Sequence, residues 1–599
     1  MGDSGKDLTS RRTQGEVVAM ARRTVADQFV EIMMAAGVRR IYGVVGDSLN
    51  PVVDSVRRHD GIDWVHVRHE EVGAFAAGAE AQLTGRLTAC AGSCGPGNVH
   101  LINGLYDAHR SMTPVLALAA QVPSTEIGTS YFQETTPKLY FQECSHYCET
   151  VSHPEQMPRV AQIAIQEAIG NDGVAVVVLP GDVADEPAAA AQLEHPYRLE
   201  QQPAARPSDS VLEEMAEMID SAQRVMLFCG RGVAGAHDEV IALAARLKAP
   251  IGYALRGKDW IAYDNPFEVG MSGLLGYGAC YDAMHECDLL ILLGTDFPYT
   301  QFMPTEPRIV QVDVRRERLG RRSRLDLGVW GDAGETVRAL LTQVVEKSDT
   351  SFLDRMLRRH DELVGRLRSY AEEVGDRRPI HPEHVAATLD RFAADDAVFT
   401  ADTGMSTVWA ARLISATGRR RLLGSFVHGS MANALPQAIG AQICSPGRQV
   451  VAMCGDGGLA MLLGDLLTLA EYDLPVKVVI FNNGSLGMVA LEMLVAGYPP
   501  YETALKNPDF AALAAAAGIG GLRIEDPGDV REGLRDALQT KGPVVVDVLT
   551  DPNALSMPPK IRKEQVKGFA LAMTKLVLAG EADEVVNMAR SNLRNLPRP

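Results

Sequence analysis

The chain has 599 residues, a formal net charge of −18 and nine cysteines. This length accommodates several domains, each with its own hydrophobic core, and the negative charge argues against nucleic acid as the main partner because it repels phosphate backbones. An odd number of cysteines without a dense framework is typical of a reducing cytoplasm rather than of secretion.

Residues 1–20 form an N-terminal extension that we expect to be disordered. The segment TQGEVVAMARRT after Arg11 and Arg12 has no uninterrupted apolar core and no small-residue cleavage site, so no signal peptide is predicted. Elsewhere no run approaches the roughly 18 apolar residues of a membrane-spanning helix, and none is predicted.

Residues 21–183 form the first predicted domain. In it, apolar runs such as RRIYGVVG, PVLALAAQ and VAVVVLPGD alternate with longer helical stretches. This alternation predicts parallel strands with crossover helices, and the runs are apolar enough to be buried on both faces of a sheet. Two C-x3-C pairs, at 90/94 and 144/148, are compatible with a zinc site or with buried thiols beside turns. The second interpretation is favoured because no histidine completes a ligand set.

Residues 184–208 are rich in Ala, Pro and Gln and are predicted to be a linker. A second α/β domain is predicted at 209–346, and the charged stretch 347–378 is predicted to be a helical connector. The third domain, 379–556, repeats the alternation with AVFTADTG, RRLLGSF, QVVAMCGDGG, VKVVIFNNGS and PVVVDVL. The predicted fold class is therefore α/β, with three consecutive domains built on parallel sheets.

A G-x-G-x-x-G pattern at Gly230, Gly232 and Gly235 lies between a strand and a helix of the second domain. By itself it indicates a pyrophosphate at a helix N-terminus. An NAD-binding fold would place an acid at the end of the next strand, but PIGYALRGK offers Arg256 and Lys258 there. Three interpretations stay open: NAD, a tight turn without a ligand, and another diphosphate ligand such as FAD.

The stretch CGDGG in the third domain places Asp456 between glycines after an apolar strand. Asn482 and Asn483 follow the next strand, and one helix, LAMLLGDLLTLAEY, is predicted in between. The acid and the amides are therefore expected at the same carboxyl edge of neighbouring parallel strands. Mg²⁺ prefers hard oxygen ligands and usually shares them with phosphates, so the spacing fits a magnesium diphosphate site, with glycines leaving room for the phosphates.

GDG followed after 24 residues by NN resembles the binding signature of thiamine diphosphate enzymes. RHEEVGAFAAGAEAQLTG and GSCGPGNVHLINGL resemble the pyrimidine-binding domain of the acetohydroxyacid synthase and pyruvate oxidase family. YGVVGDSLN, SYFQET, ECSHYCE, ALRGK and LLGSFVHGSMANALPQAIGAQ resemble the quinone-linked pyruvate dehydrogenases of that family, which are peripheral membrane flavoproteins. The resemblance covers roughly residues 21–594. It implies a thiamine diphosphate-binding fold for the first and third domains and an FAD-binding fold for the central one.

The resemblance implies that Glu70 is the catalytic glutamate, which contacts the pyrimidine ring of thiamine diphosphate, and that Met431 supports the bent cofactor. Magnesium ligation is implied for Asp456, Asn483 and Ser485. The implied thiamine diphosphate-binding residues are Glu70, Gly404, Gly429, Ser430, Met431, Asp456, Gly457, Gly458, Asn483, Gly484, Ser485, Leu486, Gly487 and Met488. The implied FAD-binding residues are Gly230, Gly232, Ser272, Gly273, Leu274, Leu275, Thr295, Asp296, Phe297, Pro298, Tyr299 and Asp313.

Two further candidate catalytic residues are Gln121 and Met488. Gln121, in AAQVP, fits a substrate-side amide or a buried structural amide equally well. Met488 stands where the quinone-linked relatives have an aromatic residue that helps electrons reach the flavin. A thioether keeps the bulk but loses the π system, so the transfer rate and the acceptor are open.

The implied reaction is the oxidative decarboxylation of pyruvate to acetate and carbon dioxide, with thiamine diphosphate, Mg²⁺ and FAD as cofactors and a membrane quinone as acceptor. The alternatives are an acetohydroxyacid synthase-like carboligase and an oxygen- and phosphate-using pyruvate oxidase. A non-catalytic regulatory protein is disfavoured because Glu70 is present alongside Asp456 and Asn483. A homotetramer is expected, since the family's cofactor lies between the first domain of one chain and the third domain of another.

The C-terminal tail, residues 557–599, has eight Lys or Arg against four Asp or Glu and is locally positive. One helical face is predicted to hold Val566, Phe569, Met573, Leu576 and Val577, and a second apolar set comprises Val585, Val586, Ala589 and Leu593. The tail either docks on its own protein or, as the resemblance implies, meets a lipid surface reversibly. The resemblance thus places the protein in the cytoplasm, on the inner face of the cell membrane.

Overall fold

The computed structural model describes residues 23–189, 204–554, 563–578 and 582–592. The predicted N-terminal extension and residues 190–203 of the predicted linker lie outside the described residues. The chain divides into two compact units, Met1–Glu200 and Gln201–Pro599.

The first unit is built on one parallel sheet covered by helices. Its strands are β1 (Arg40–Gly43), β2 (Asp63–His66), β3 (Thr88–Gly92), β4 (Val115–Gln121), β5 (Tyr147–Thr150) and β6 (Val174–Pro180). Its helices are α1 (Val25–Ala35), α2 (Asn50–Arg58), α3 (Glu70–Thr84), α4 (Pro96–His100), α5 (Ile102–Arg110), α6 (Pro137–Tyr140), α7 (Met157–Gly170) and α8 (Gly181–Asp185). The strand order is β2-β1-β3-β4-β6-β5. Strands β4 and β6 are buried along their whole length, as expected for strands covered on both faces.

The central domain begins the second unit. Its strands are β7 (Val225–Cys229), β8 (Ile251–Tyr253), β9 (Glu268–Met271), β10 (Tyr277–Gly278), β11 (Leu289–Leu293), β12 (Arg308–Asp313) and β13 (Leu327–Trp330). Its helices are α9 (Asp209–Ser221), α10 (His237–Leu247), α11 (Lys258–Ile261), α12 (Cys280–Glu286) and α13 (Ala333–Leu340), and α14 (Ser351–Glu373) follows as the connector. The order is β10-β9-β8-β7-β11-β12-β13, and only the edge pair β10 and β9 is antiparallel. The strand order reverses at β7, so the carboxyl ends of β7 and β11 border a crevice of the kind that binds ligands in open sheets.

The third domain has the strands β14 (Val398–Ala401), β15 (Arg421–Gly424), β16 (Val450–Gly455), β17 (Lys477–Asn482), β18 (Gly520–Ile524) and β19 (Val544–Leu549). Its helices are α15 (Pro382–Phe392), α16 (Met405–Leu413), α17 (Ala434–Cys444), α18 (Asp456–Met461), α19 (Leu466–Glu471), α20 (Gly487–Ala496), α21 (Phe510–Ala516) and α22 (Val530–Gln539). The order β15-β14-β16-β17-β19-β18 repeats the topology of the first sheet. The predicted fold class of three α/β domains with parallel sheets is confirmed.

The single helix predicted after CGDGG is wrong. The segment forms the short helices α18 and α19, separated by Leu462 and a 3-10 turn, Leu463–Asp465. Leu462 leaves helical geometry at φ −124° and ψ 31°. Asp465 then accepts a 2.8 Å hydrogen bond from the Thr468 hydroxyl in the first turn of α19, which favours a new helix start over continuation.

Buried polar side chains join the central and third domains within the second unit. Lys258 Nζ donates to the carbonyl oxygens of Ala411, at 2.6 Å, and of Ile414, at the end of α16. A cation at this position satisfies carbonyls that have no partner inside the helix and matches the negative end of its dipole. In the opposite direction, Arg412 of α16 donates to the carbonyl oxygen of Leu275 at 3.2 Å. The two domains therefore share a polar seam.

The C-terminal tail forms α23 (Lys563–Leu578), which packs on α20, and α24 (Ala582–Asn592), which packs on α23. They share one small hydrophobic cluster, formed by Leu491, Leu494, Ala572, Leu576 and Met588. Lys575 Nζ also donates to the Gly497 carbonyl oxygen at 2.8 Å, just after α20 ends. None of the helices in the described ranges is long and apolar enough to cross a bilayer.

The predicted apolar face of the tail is partly wrong. Phe569, Met573 and Leu576 belong to the packed cluster, but Val566 is 55% exposed and Val577 is 50% exposed. Adjacent helical positions differ by about 100° in direction, so Leu576 and Val577 cannot both point at α20. In the second predicted set, Val585 packs against the cluster while Val586 and Ala589 are exposed, and Leu593 lies outside the described residues.

Candidate active site

The Asp456 carboxylate lies at the junction of two adjacent strands of the third domain. It starts α18 directly after β16, and β16 pairs with β17 in parallel, as predicted. Its Oδ1 accepts from the Gly457 N–H at 2.8 Å, and its Oδ2 accepts from the Gly484 N–H at 2.7 Å. Burial raises the pKa of this carboxyl, while these backbone donors oppose the rise. The loop after β17 thus holds the acid that follows β16.

The glycines after Asp456 are required by close packing against protein groups. A Cβ on Gly458 would lie 2.4 Å from Asp402 Oδ2, and one on Gly457 would lie 2.9 Å from a methyl carbon of Leu486. The side that a Cβ would occupy is therefore filled by protein atoms, and the expectation that these glycines leave room for a diphosphate stays a prediction. Both residues still line the cavity described below.

Asp402 is a site residue that the sequence interpretation missed. It follows β14 and is 2% exposed. Its Oδ1 accepts from the Ala434 N–H at 2.9 Å and its Oδ2 from the Gly455 N–H at 3.1 Å. Burial raises the pKa of this carboxyl to about 7. The sequence did contain a signal for Asp402, because it follows an apolar strand, β14, which pairs with β16. The argument that identified Asp456 from its place after a strand applies to Asp402 as well.

The loop Asn483–Leu486 is fixed from both sides. Asn483 Oδ1 accepts from the Ser485 N–H at 3.0 Å, which closes a local turn. The chain after α20 returns to the same loop, where the Leu486 N–H donates to the Thr503 carbonyl at 2.8 Å and the Leu505 N–H donates to the Gly484 carbonyl at 2.7 Å. The candidate ligands Asn483 and Ser485 therefore lie in a loop with a defined backbone.

These residues surround a cavity at the carboxyl ends of β14, β16 and β17. Ten of the predicted thiamine diphosphate residues line it: Gly404, Met431, Asp456, Gly457, Gly458, Asn483, Ser485, Leu486, Gly487 and Met488. Gly429, Ser430 and Gly484 lie beside it in the chain but do not line it. Its mixed polar and apolar lining is typical of a ligand-binding pocket.

Two predicted glycines are required for a different reason. Gly404 and Gly429 have φ values of 134° and 82°, and a Cβ at either position would meet no atom within 4 Å. Backbone conformation rather than crowding therefore explains glycine at these two positions. Gly404 also immediately precedes α16 at the cavity wall.

The donor set fits a hard divalent cation with a diphosphate. Asp456 supplies a carboxylate, Asn483 an amide oxygen, and Ser485 a hydroxyl and a main-chain carbonyl, all of which are oxygen donors of the kind that Mg²⁺ takes. His, Cys, Asp and Glu do not cluster around Asp456 in the described residues, so a soft-metal site is not formed there. The oxygen donors that line the cavity are therefore compatible with Mg²⁺ beside a diphosphate.

In the first unit, Glu70 begins α3 at the carboxyl end of β2. It is 7% exposed, and its Oε2 lies 2.9 Å from His100 Nδ1. The His100 ring stacks on His69 with 4.3 Å between ring centroids, and burial lowers the pKa of His69. Together the three form the single cluster of potential metal ligands in the described ranges. His69 Nδ1, however, accepts from the Glu71 N–H at 3.2 Å, which leaves the proton of the neutral ring on Nε2 and argues against a metal there.

Gln121 lies at the end of β4 and is 4% exposed. Its Nε2 donates to the Thr135 carbonyl oxygen at 2.9 Å, and its Oε1 accepts from the Val122 N–H at 2.9 Å. The amide is thus engaged with backbone on both sides. This arrangement favours the structural interpretation of Gln121 over the substrate-side one.

The predicted flavin residues collect at three strand ends of the central domain. Ser272, Gly273, Leu274 and Leu275 follow β9, Thr295, Asp296, Phe297, Pro298 and Tyr299 follow β11, and Asp313 ends β12. The Ser272 hydroxyl is buried without a partner, and Asp313 is 7% exposed with a pKa raised by burial. The buried Ser272 hydroxyl without a partner, at one of these strand ends, is the feature that fits a polar ligand such as FAD.

Gly230 and Gly232 have a packing role. A Cβ on Gly230 would lie 2.4 Å from the Gly294 carbonyl oxygen, and one on Gly232 would lie 2.5 Å from the Gly294 Cα. The loop after β7 therefore contacts the loop after β11 directly, and glycine is required whether or not a pyrophosphate binds. The G-x-G-x-x-G pattern by itself does not distinguish a tight turn from a nucleotide site.

Family comparisons agree with this architecture. Residues 23–141 match "Thiamine pyrophosphate enzyme, N-terminal TPP binding domain", residues 212–340 match the central domain of the same enzymes, and residues 402–548 match their C-terminal TPP binding domain. The three matches fall on the three sheets in chain order.

Three relatives match along most of the chain. A putative thiamine pyrophosphate-containing protein, YdaP of Bacillus subtilis, is 35% identical over 96% of this chain and 99% of its own length. A probable acetolactate synthase large subunit of Methanocaldococcus jannaschii is 30% identical over 89% of this chain and 93% of its own length. The pyruvate oxidase of Lactiplantibacillus plantarum is 30% identical over 87% of each chain.

Proposed function

The chain belongs to the thiamine pyrophosphate enzyme family, and from this premise we propose that it oxidises pyruvate to acetate and carbon dioxide and passes the electrons through FAD to a membrane quinone. The observation that carries the proposal is the cavity in which Asp456, Asn483 and Ser485 meet. In the balanced reaction, pyruvate and water yield acetate, carbon dioxide, two protons and two electrons.

Asp456, Asn483 and Ser485 would hold Mg²⁺ with the diphosphate of the cofactor. Bound there, thiamine diphosphate supplies the electron sink that decarboxylation of a 2-keto acid requires. Met431, at the cavity wall, and Leu486, packed against Gly457, would support the cofactor through apolar contact. Asp402 keeps its place in this wall through its two backbone hydrogen bonds.

Glu70 would hold and move the proton that activates the cofactor. Its carboxylate is almost fully buried and close to the His100 imidazole, whose side chain is 43% exposed. A buried acid with one polar neighbour is suited to proton transfer. On the resemblance to the family, we propose that the complete site forms between two chains of a homo-oligomer, with a homotetramer as the assembly.

The central domain would hold FAD at Ser272, Thr295 and Asp313, and Met488 would line the path from the cavity toward it. Oxidation of pyruvate is supported by the name of the Lactiplantibacillus plantarum relative, a pyruvate oxidase. The basic amphipathic tail would attach the protein reversibly to the inner face of the cell membrane, where quinone is available. In its docked position the tail buries its own Leu576 and Met588 in one cluster with Leu491 and Leu494 of α20.

The second candidate is a carboligase, favoured by the relative that is named as a probable acetolactate synthase large subunit. One anaerobic experiment separates the two. Purified protein is mixed with pyruvate while flavin absorbance and products are followed. Bleaching of the flavin with acetate formation supports oxidation, and reoxidation by a soluble quinone completes the assignment. Acetolactate formation with an unchanged flavin spectrum would refute the proposal, and peroxide with acetyl phosphate would identify an oxygen-using oxidase.

A further inference from the structure

Asn507 is a polar residue near the cavity to which neither the sequence motifs nor the proposed function assigns a role. It lies between α20 and α21, in the segment that returns to the Gly484–Leu486 loop. Its Nδ2 donates to Asp456 Oδ2 at 2.7 Å and to Asn482 Oδ1 at 2.9 Å. A primary amide has two N–H donors, and both are used here on groups from two different strand ends.

The two oxygens of Asp456 differ as a result. Oδ2 accepts two hydrogen bonds, from Gly484 N–H and from Asn507, whereas Oδ1 accepts one, from Gly457 N–H. A carboxylate has about four lone-pair directions, so Oδ1 keeps the greater capacity for a cation. The hydrogen bonds to Oδ2 also fix the rotation of the carboxylate group.

The contact continues into a chain of buried polar groups. Asn482 Nδ2 donates to Asp547 Oδ1 at 2.8 Å, and Asn482 is 8% exposed. Asp547 is fully buried, and its Oδ2 accepts from Arg523 at 2.9 Å and from the Phe510 N–H at 3.2 Å. Since each member of this chain is satisfied by the next, Asn507 is itself held in place by a neighbour that cannot rotate freely.

We infer that Asn507 is a positioning residue that orients Asp456, so that the cation of the cavity is bound through Asp456 Oδ1. This inference rests on the proposed magnesium site. Removal of a residue that hydrogen-bonds to a metal-binding carboxylate typically lowers metal affinity about tenfold to a hundredfold. Asn507→Leu, which keeps the approximate shape but has no donor, should therefore weaken Mg²⁺ binding by about that factor.

The experiment follows binding rather than turnover. Trp409 lines the cavity, so quenching of tryptophan fluorescence reports binding of thiamine diphosphate while Mg²⁺ is titrated into the full-length apoprotein. In Asn507→Leu we expect the Mg²⁺ midpoint to rise about tenfold to a hundredfold with an unchanged final quench. Asn507→Ser, which keeps one hydroxyl donor, should lie in between. Asn171→Leu, in an exposed amide that donates to Glu167 in the first domain, is the matched control and should bind like the wild type.

The outcomes are separable. An unchanged midpoint in both Asn507 variants, or a lower final quench and lower melting temperature without a shifted midpoint, would overturn the inference, because either result describes a structural residue only. If Asn507→Leu fails to fold, the Mg²⁺ midpoint of Asn507→Ser tests the inference in its place: a raised midpoint supports the inference and an unchanged one overturns it. A wild-type protein without Mg²⁺-dependent binding would remove the metal site and the inference with it. Normal Mg²⁺ binding in a protein that does not oxidise pyruvate would refute the proposed reaction and leave the inference standing.

Discussion

Replacement of Gly458 by alanine should destabilise the third domain and displace the wall of the cavity. The added Cβ would lie 2.4 Å from Asp402 Oδ2 and 2.8 Å from its Cγ, about 1 Å inside normal contact. Asp402 cannot move away freely, because it accepts from Ala434 N–H and Gly455 N–H. Overpacking of this kind costs about 1–3 kcal/mol, and weakening of a hydrogen bond to a charged group costs about 1.5–3 kcal/mol.

Against these costs, alanine is favoured over glycine inside a helix by about 1 kcal/mol. Gly458 lies in α18 with φ outside the left-handed region, so its backbone accepts alanine. The free energy of unfolding of Gly458→Ala should therefore fall by about 1.5–5 kcal/mol, measured by urea denaturation with tryptophan fluorescence. Its affinity for thiamine diphosphate should fall as well, because Gly455 and Asp456 depend on the same wall.

Gly464→Ala is the matched control. Gly464 lies six residues further on, in the 3-10 turn before α19, and a Cβ there would meet no atom within 4 Å. This variant should be as stable as the wild type or more stable by up to about 1 kcal/mol. Equal stability and equal cofactor affinity of Gly458→Ala and Gly464→Ala would show that the packing argument is incorrect.

Three further predictions concern other parts of the chain. Glu70→Gln should reduce pyruvate-dependent dye reduction by a factor of about 10² or more, with Glu71→Gln as the control that keeps activity; full turnover of Glu70→Gln would speak against an acid–base role. Burial lowers the pKa of Lys258 to about 8. The folded chain therefore releases this proton above about pH 8, whereas the unfolded chain keeps it up to about pH 10.5. Between these pH values, the free energy of unfolding of the wild type relative to Lys258→Met, measured by urea denaturation, should rise by about 3 kcal/mol. A difference that stays constant with pH would contradict the lowered pKa. Gly568→Val should release α23 from α20, because even a Cβ at Gly568 would lie 2.1 Å from the Val495 carbonyl oxygen. We expect faster proteolysis of the tail and stronger co-sedimentation of the protein with anionic vesicles. An unchanged rate of proteolysis would exclude the close contact.

The meeting of Asp456 and Asn483 at one cavity could be predicted from the order of strands and helices in the sequence. Asp456 and Asn483 each follow a buried apolar strand, and parallel strands with a crossover helix bring such positions to one edge. The same reasoning reaches Asp402, which follows β14, but no sequence pattern distinguished it from an ordinary strand-end acid. Glu70 was found by resemblance to a family and not by physical argument, since an acid at a helix start is also an ordinary N-terminal residue.

The remaining features depend on contacts between distant segments. Asn507 meets Asp456 across 51 positions of sequence, in a segment without periodicity, and no local rule predicts that meeting. The packing roles of Gly230 and Gly458 could not be predicted, because a glycine that avoids a neighbour and a glycine that approaches a ligand look the same in a sequence. Val577 was placed on the wrong face because the tail helix packs along a narrow stripe.

The polar seam between Lys258 and the end of α16 has a consequence for protein production. In a fragment that ends after the central domain, the Lys258 ammonium would be exposed to water. The Leu275 carbonyl oxygen would lose the hydrogen bond that Arg412 donates to it. A fragment that starts at the third domain would leave Ala411 and Ile414 with bare carbonyls at the helix end. In scanning calorimetry the two domains should accordingly melt in one endotherm. Recombinant fragments should therefore begin or end near residue 200, where the chain divides into two units, and not between the central and third domains.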